Sequence, residues 1–454
     1  MTTVVSFVIV IGLLILIHEL GHFLVARWAG VGVERFSVGF GPVLLRWRGK
    51  ETEYCLSAVP MGGYVKMMGE ENPLEGGGSG TVDPAKSFSL KPLWARALIV
   101  FAGPGMNFVL AAAIFAGVFM VLGRPVLPSV LGRIQPGGPA AQTGLQPGDR
   151  VVAAEGQPVA HWEELLKAVH ASQGETIQLV VVRGSEERKV ALTPLRTRVR
   201  DIFGDEREIW DLGARPYTPA RVGEVLPGTP AARAGLRARD TVTALDGSSI
   251  LTWDELAEEI RKRPARTVRL TVDREGQTLT LSVTPQPIRE RGPQGEEIEV
   301  GRIGISPTAV VAYVRSNPVV AIGEGMVRTA DMTALTAIGL WKLITGQLPA
   351  STIGGPIQIA VAAGEQAKQG IASLAFFTAV ISVNLALLNL LPVPILDGGH
   401  LLFFAIEAVL GRPLSLKKRE LAQQVGFMLL LLLMVFAVYN DLARNADQFI
   451  RFFK

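Results

Sequence analysis

The hydropathy pattern of the chain contains four long apolar stretches, separated by segments of mixed polarity. The first runs from Thr2 to Ala26, and among its residues only His18, Glu19 and His22 are ionisable. The other three, residues 97–123, 371–396 and 421–440, contain no charged residue. A helix of about 20 apolar residues crosses the hydrocarbon core of a bilayer. The pattern therefore predicts a polytopic α-helical membrane protein with four transmembrane helices.

Lysine and arginine cluster in the two short loops that follow the first and third predicted spans. Nine lie between spans one and two, and Arg412, Lys417, Lys418 and Arg419 lie between spans three and four. Because short cytoplasmic loops carry an excess of basic residues, we expect both loops in the cytoplasm. Both termini and the long segment 124–370 are then extracytoplasmic. No basic residue precedes Arg27, so the first stretch lacks the basic region of a cleaved signal peptide and is expected to remain as a span.

The long segment between spans two and three contains a repeat with a period of 91 residues. The paired positions include Pro136 and Pro227, Gly144 and Gly235, Asp149 and Asp240, Gly156 and Gly247, and Trp162 and Trp253. Alternation at 176–182 and 267–272 predicts strands, and 161–170 and 252–261 predict one helix in each copy. Both copies resemble PDZ domains of the bacterial, circularly permuted kind, which bind an extended peptide at a sheet edge. An equally good interpretation is that the two domains are spacers or lids that bind no peptide.

Two other segments have their own patterns. Residues 309–370 are too often interrupted by charge for a span, at Arg315, Glu324, Arg328 and Asp331 among others. We expect an amphipathic helix in the outer membrane interface there. The segment from Arg35 to Lys66 alternates like strands and contains several glycines, which predicts a small membrane-associated β-unit on the cytoplasmic side.

Composition and charge narrow the function classes. Apolar residues make up 48% of the 454 residues and charged residues 19%, below the roughly 25% of soluble domains. The net charge of +4 is too small for a nucleic-acid interface, which needs clustered basic residues. The single cysteine, Cys55, excludes an intrachain disulfide and a cysteine-rich zinc ribbon.

The first predicted span contains the motif His18-Glu19-Leu-Gly-His22. Residues i and i+4 of a helix share one face, so both imidazoles can reach a single Zn²⁺. Glu19 lies near the same edge, where it can take a proton from water. A polar cluster lining a bundle interior is the structural alternative, but ionisable residues inside a membrane are costly and usually functional.

A catalytic zinc ion needs a third protein ligand and an open position for water. The third span ends in the sequence NLLPVPILDGGH, which begins at Asn389 and contains Asp397 and His400. Spans one and three run in the same direction, and this brings Asp397 to the depth of the two histidines. We therefore expect a His18-His22-Asp397 site for one zinc ion, with His400 as the rival third ligand.

The predicted segments, in chain order, follow from these patterns. They are transmembrane helix 1 with HExxH (1–27), the β-unit and cytoplasmic loop (28–92), transmembrane helix 2 (93–123), two PDZ-like α+β domains (124–215 and 216–308), the interfacial linker (309–370), transmembrane helix 3 with NxxPxPxLDG (371–411), a basic cytoplasmic loop (412–420), transmembrane helix 4 (421–440) and an extracytoplasmic tail (441–454).

The motifs and their order resemble those of the bacterial site-2 proteases, intramembrane zinc metalloproteases that cleave within transmembrane segments. The resemblance covers essentially the whole chain, and only 309–370 matches loosely. It implies His18, His22 and Asp397 as zinc ligands and Glu19 as general base. It also implies that Asn384 and Asn389 hold the substrate backbone. The segments Gly39-Phe40-Gly41 and Gly62-Gly63-Tyr64 match β-elements that are thought to contact substrate.

These features predict a multi-pass protein of the bacterial cytoplasmic (inner) membrane that cleaves single-span membrane proteins from a cavity open to the cytoplasm. The resemblance suggests anti-sigma factors and remnant signal peptides as substrates, with the PDZ pair as a substrate filter. Two alternatives remain: a catalytically silent membrane adaptor that binds partners through its PDZ domains, and a metal transporter. The intact Glu19 favours an enzyme over an adaptor, because metal binding alone does not require it. The lack of an inverted repeat disfavours a transporter.

Overall fold

The computed structural model describes residues 2–69, 83–291, 296–308 and 312–444. A glycine-rich stretch near residue 75, part of the 309–370 linker and most of the tail predicted at 441–454 lie outside the described residues. The chain forms two compact units. One comprises residues 1–124 with 315–454, and the other comprises residues 125–314.

The first unit is mainly helical. Its helices are α1 (Thr2–Trp28), α2 (Leu93–Val121), α7 (Pro318–Ile344), α8 (Pro356–Gln369), α9 (Ile371–Asn389), α10 (Asp397–Leu410) and α11 (Leu416–Arg444); α3 to α6 belong to the second unit and are given below. By length and composition, α1, α2, α9 and α11 can each cross a membrane. These four helices coincide with the four apolar stretches of the sequence.

Helix α2 is central to this unit, since it packs against α1, α7, α9 and α10. The N-terminal half of α2 packs closely on α1, since a Cβ on Gly21 of α1 would lie 2.8 Å from the carbonyl carbon of Ala102. The other half forms an apolar core with α7 and α9, made of Ala111, Phe115, Phe119, Ala321, Ala379 and Val383. The part of α1 that carries the HExxH motif therefore packs against α2.

The third predicted span is divided into two helices. Helix α9 ends at Asn389, and α10 begins at Asp397. Pro392 and Pro394 lie between them, and proline has no N–H for a helical hydrogen bond. Gly399 permits a close turn, because a Cβ there would lie 2.5 Å from the Cα of Pro394. The turn places Asp397 in the first turn of α10.

The linker 309–370 differs from the single amphipathic helix that its pattern predicts. Its described part contains two helices, α7 and α8, joined through a short 3₁₀ turn at Ala350–Thr352. Ala321, Gly325 and Thr329 are buried along one face of α7, and Gly325 is closely approached by Ala112 and Ala116 of α2. A stripe of small residues thus allows α7 to pack closely on α2. The charged residues along the segment make this stripe hard to recognise in the sequence.

The N-terminus of α8 is capped from the last helix. The buried carboxylate of Asp441 accepts hydrogen bonds from the backbone N–H groups of Gly355, Ile357 and Gln358 at 2.8, 3.0 and 3.1 Å. Free N–H groups at a helix start need such acceptors. Asn440 Nδ2 also donates to the carbonyl of Ala350 at 3.1 Å. The end of α11 is therefore fixed to the start of α8.

The β-unit predicted from Arg35 to Lys66 is present as two long strands, β1 (Val33–Arg48) and β2 (Glu53–Met67). The pairing folds back on itself, so that Val38 faces both Leu56 and Gly63. Strand β2 also packs against α1. The β-unit therefore lies beside the helix that carries the HExxH motif.

The second unit contains the repeat. Its helices are α3 (Pro139–Gln142), α4 (Trp162–Ala171), α5 (Pro230–Arg233) and α6 (Trp253–Arg261). Its strands are β3 (Arg124–Val126, which begins at the boundary), β4 (Leu131–Ile134), β5 (Arg150–Ala154), β6 (Gln157–Pro158), β7 (Ile177–Arg183), β8 (Glu186–Leu192), β9 (Leu195–Arg200), β10 (Glu206–Asp211), β11 (Ala214–Pro216), β12 (Val222–Val225), β13 (Thr241–Leu245), β14 (Ser248–Ser249), β15 (Val268–Arg274), β16 (Gln277–Val283), β17 (Gln286–Arg291), β18 (Glu297–Arg302), β19 (Ile305–Pro307) and β20 (Ala312–Val314).

The two copies of the repeat fold alike. Each has a four-stranded sheet, in the orders β6-β5-β7-β8 and β14-β13-β15-β16, with its own apolar core. A buried aspartate accepts from an arginine in both: Asp149 from Arg183 and Asp240 from Arg274, each with an Nε–Oδ1 distance of 2.7 Å. The equivalent contacts show that the 91-residue period of the sequence is a structural duplication.

Candidate metal centre and active site

His18 and His22 lie one turn apart on α1 with their rings directed to the same point. Both residues are buried, and their Nε2 atoms are 3.2 Å apart. The i, i+4 spacing of a helix produces this arrangement. The pair is therefore placed by local structure alone.

Asp397 comes to the same point from the first turn of α10. Its Oδ2 lies 3.1 Å from His18 Nε2, and its Oδ1 lies 3.6 Å from His22 Nε2. Donor atoms about 2.0–2.1 Å from a tetrahedral zinc ion are about 3.3 Å from one another. The separations of 3.2 Å between the two Nε2 atoms and of 3.1 Å between His18 Nε2 and Asp397 Oδ2 fit such an ion, and two imidazoles with one carboxylate are a usual donor set for catalytic zinc.

Helix α2 orients the imidazole of His22. The His22 Nδ1 atom donates to the carbonyl of Ile99 at 2.9 Å. Because a carbonyl only accepts, the proton of this ring is on Nδ1, and the Nε2 lone pair is directed to the donor cluster. Gly103 makes room for the ring, since a Cβ there would collide with His22 Nε2 and lie 2.8 Å from His18 Nε2.

The same helix supplies a polar contact to His18. Asn107 Nδ2 lies 3.3 Å from His18 Nδ1, and Asn107 is completely buried. Within the described part of the chain, Asn107 Oδ1 is a buried side-chain atom without a hydrogen-bond partner. Ser382 of α9 donates to the backbone carbonyl of Asn107 at 2.7 Å, so the position of this residue on α2 is fixed.

Glu19 is half-buried next to His18 and lies against the β-unit. A Cβ added to Gly63 would be 2.9 Å from the Glu19 Cγ and 3.0 Å from Ile15 Cγ2. Gly63 is thus needed as glycine because the general-base candidate occupies the space of a side chain. The contact brings the β2 segment around Gly63 to the HExxH helix.

The two glycine motifs of the β-unit contact one another. Gly39 and Gly41 adopt φ values of +91° and +83°, which other residues rarely reach. The half-exposed Phe40 ring lies over Gly62 and stacks on Tyr64, with ring centroids 6.3 Å apart. The Tyr64 hydroxyl accepts from Arg35 Nη1 at 3.2 Å. The surface formed by Phe40, Gly62 and Tyr64 lies next to Glu19, because Gly63 between them contacts that side chain.

The predicted substrate-binding asparagines are both half-buried on α9. Asn384 Oδ1 accepts from Thr336 Oγ1 of α7 at 2.8 Å, so α7 orients its carboxamide. Asn389 is the last residue of α9, before the turn that leads to Asp397. Their roles in binding stay predictions.

His400, the rival third ligand, is not in the donor cluster. Among the described residues, the group of histidine and acidic side chains that can hold a metal consists of His18, His22 and Asp397. The His400 ring instead lies 6.3 Å from that of Phe403. The geometry therefore favours Asp397.

Sequence patterns missed several residues that support this site. Asn107 had a usable signal, since it is a lone amide in a charge-free apolar stretch, and polar groups in membrane helices usually have a role. Thr336 had no such signal, because it lies in a segment of mixed polarity. The pair formed by Arg96 and Glu407 joins residues that are 311 positions apart, and no local pattern relates them.

Comparison with known proteins places the chain in a family. The profile of Peptidase family M50 matches residues 6–433. The regulator of sigma-E protease RseP of Escherichia coli is 36% identical, with 97% of this chain and 98% of that protein covered. A Ralstonia nicotianae protein that bears the name of a zinc metalloprotease is 38% identical, with 98% and 99% covered.

Solved structures resemble a smaller part. The PDZ domain of an SdrC-like protein from Listeria innocua is 23% identical and covers 20% of this chain and 94% of that chain, with a TM-score of 0.16. The four membrane-capable helices, together with the relatives that match over nearly the whole chain, indicate a protein of the inner membrane. The chain belongs to peptidase family M50, and it is a zinc metalloendopeptidase of the type represented by the regulator of sigma-E protease.

Proposed function

We propose that this protein is an intramembrane endopeptidase that uses one zinc ion to cleave the transmembrane segments of single-span membrane proteins. The observation that carries the proposal is the convergence of His18, His22 and Asp397 within 4.8 Å of one another. Two of these residues lie on a helix that can cross a membrane, and the third begins the helix that follows another such helix after a short turn. A site at that depth is suited to substrates that lie in the bilayer.

The metal would be held by the Nε2 atoms of both histidines and by the Asp397 carboxylate. When bound, zinc lowers the pKa of water and polarises the scissile carbonyl. Glu19 accepts the proton of the attacking water and passes it to the leaving amine. Its carboxylate is placed near that water because Glu19 follows His18 on the same helix. Gly63 holds Glu19 on one side, which limits the positions that its carboxylate can adopt.

A transmembrane substrate hides its carbonyl groups in its own helical hydrogen bonds. It must therefore unwind before water can attack, and the freed backbone groups need partners. The β-unit segments around Gly39-Phe40-Gly41 and Tyr64 can pair with an extended chain. Asn384 and Asn389 can bind freed N–H and C=O groups from the side of α9.

The distribution of basic residues supports the orientation. We place both termini and the two PDZ-like domains outside the cytoplasm, and the short loops after α1 and α10 inside. Water then reaches the metal centre from the cytoplasmic side. Anti-sigma factors and remnant signal peptides are the proposed substrates, in keeping with relatives named for regulation of sigma-E.

The duplicated domains suit a role in selecting substrates. Each has its own core, and residues 125–314 form a separate unit that contributes none of the proposed ligands. Two rigid domains of this size obstruct a substrate with a large folded ectodomain and admit one that has already been shortened.

The test is to reconstitute the purified protein with a single-span substrate in lipid vesicles and to map the cut by mass spectrometry. We expect cleavage inside the apolar segment, loss of cleavage with a chelator, and recovery with added zinc. A cut confined to residues outside the apolar segment would contradict an intramembrane mechanism, while cleavage that survives metal removal would contradict the zinc site.

A further inference from the structure

Asn107 is placed where it can decide which nitrogen of His18 faces the metal centre. Its carboxamide is completely buried, and the side-chain nitrogen lies 3.3 Å from His18 Nδ1. Its Oδ1 has no partner among the described residues, and a buried unpaired oxygen is costly. An unpaired atom on a side chain that touches a candidate ligand requires an explanation.

The two orientations of the carboxamide have different consequences for His18. If Nδ2 points at Nδ1, then Nδ1 must accept, and the ring proton is on Nε2. That proton would be directed at Asp397 Oδ2, which lies 3.1 Å from Nε2. A histidine in this form cannot offer Nε2 to a metal.

The reverse orientation removes this conflict. The two ends of a carboxamide are nearly equal in size, so Asn107 fits its site either way. With Oδ1 turned to His18, the oxygen accepts from Nδ1–H, and the Nε2 lone pair faces the donor cluster. The His22 ring is already held in this form by the carbonyl of Ile99 on the same helix.

We propose that Asn107 is a positioning residue for the metal centre, whose Oδ1 accepts a hydrogen bond from His18 Nδ1–H whenever metal is bound. Helix α2 then sets the tautomer of both histidines, through a backbone carbonyl at Ile99 and a side chain at Asn107. This inference rests on the proposed metal site and adds the residue that orients one of its ligands. Metal-ligating histidines generally need such a partner on the other ring nitrogen.

The test measures zinc affinity by competition with a chromophoric chelator, at neutral pH and on purified full-length protein. Three variants are compared with the wild type: Asn107→Leu, which removes the acceptor; Asn107→Asp, which keeps an acceptor but cannot donate when ionised; and Ser382→Ala. The last is a matched control, because it removes an equally buried contact to the Asn107 backbone and leaves the carboxamide intact.

We expect Asn107→Leu to weaken zinc binding about 10- to 100-fold, the usual effect of losing such a partner. Asn107→Asp should stay within about threefold of the wild type or bind more tightly, and Ser382→Ala should stay within about threefold. Thermal unfolding of the metal-free proteins monitors folding. If the leucine variant does not fold, Asn107→Asp decides alone: a loss of tenfold or more would show that the amide must donate, and the proposal would be wrong.

Failure of the wider hypothesis gives a different result. If the wild type binds zinc and His18→Ala does not weaken it, the proposed metal site is wrong, and the role of Asn107 falls with it. If His18→Ala abolishes binding while Asn107→Leu leaves it unchanged, the metal site stands and only the positioning role is excluded.

Discussion

Arg96 and Glu407 form a bidentate ion pair between the start of α2 and α10, the helix that begins at Asp397. The Arg96 Nη2 and Nη1 atoms lie 2.6 and 3.3 Å from the two carboxylate oxygens. The guanidinium also lies over the ring of Phe404, 5.1 Å from its centroid. Helix α2, which contacts both histidines through Ile99 and Asn107, is therefore fixed to the helix that carries Asp397, the proposed carboxylate ligand.

Removing one partner of this pair should destabilise the protein, because it leaves the other charge partly buried and unpaired. We expect Glu407→Leu and Arg96→Leu each to lower the free energy of unfolding by about 2 kcal/mol, between the values for surface and fully buried pairs. The double variant should lose less than the sum of the two. Thermal unfolding in detergent measures these effects.

Arg27→Leu is the matched control, since Arg27 pairs with Glu51 on the surface with side chains 44% and 41% exposed. Its effect should be under about 1 kcal/mol. Equal effects of Arg27→Leu and Arg96→Leu would show that the Arg96–Glu407 pair has no special role in joining the helices.

The exchange Glu19→Gln should abolish proteolysis and leave zinc bound. The amide cannot accept a proton from water, while His18, His22 and Asp397 are unchanged. Metal analysis of the purified variant and a cleavage assay measure the two properties separately. Glu420→Gln, at an exposed position of α11, should keep both. Retained cleavage in Glu19→Gln would show that another group accepts the proton and would exclude Glu19 as the base.

Asp397→Ala and His400→Ala should behave in opposite ways. The first removes a carboxylate that lies 3.1 Å from His18 Nε2, so we expect loss of bound zinc and of activity. The second removes a ring outside the donor cluster, and both properties should largely persist. Metal content after dialysis is the measurement. A zinc-containing Asp397→Ala protein beside a metal-free His400→Ala protein would reverse the assignment.

Membrane orientation can be tested with single cysteines in a Cys55→Ser background. Cysteines near Lys50 and Lys417 should be protected from an impermeant thiol reagent in intact cells, because the basic loops are expected inside. A cysteine near Gly204 should react. Labelling at Lys50 together with protection near Gly204 would invert the protein and move the water entrance of the active site to the other face.

Replacing residues 126–308 with a short flexible linker should widen the range of substrates. Zinc binding should be intact, since the proposed ligands lie elsewhere, and full-length substrates that are normally spared should be cleaved. Cleavage of substrates with and without their ectodomain, scored on the same membranes, is the measurement. Loss of cleavage of short substrates by a folded, zinc-binding deletion variant would indicate docking by the PDZ-like domains, and size exclusion would be wrong.

The local part of the site could be predicted from sequence. HExxH needs only the helical repeat to bring His18 and His22 together, and Asp397 follows two prolines that end a span. The 91-residue period likewise predicted two equivalent domains. Each of these features depends on residues that are close in the chain or related by a fixed offset.

Contacts between distant spans could not be predicted in this way. Which face of α2 meets α1 depends on close packing at Gly21, and only that packing brings Ile99 and Asn107 to the histidines. The stripe of Ala321, Gly325 and Thr329 on α7 could not be recognised from hydropathy, because the charged residues elsewhere in the segment lower its mean hydropathy. The fold-back of β1 on β2, which brings Gly63 to Glu19, likewise requires three-dimensional pairing.

The cap that Asp441 provides for α8 has a consequence for how the chain is made. Gln358 is synthesised 83 residues before the carboxylate that accepts its N–H. Until the ribosome has produced the end of α11, the first turn of α8 lacks this acceptor for the N–H groups of Gly355, Ile357 and Gln358. The end of α11 therefore completes a helix that was synthesised earlier, and maturation of this region must wait for α11.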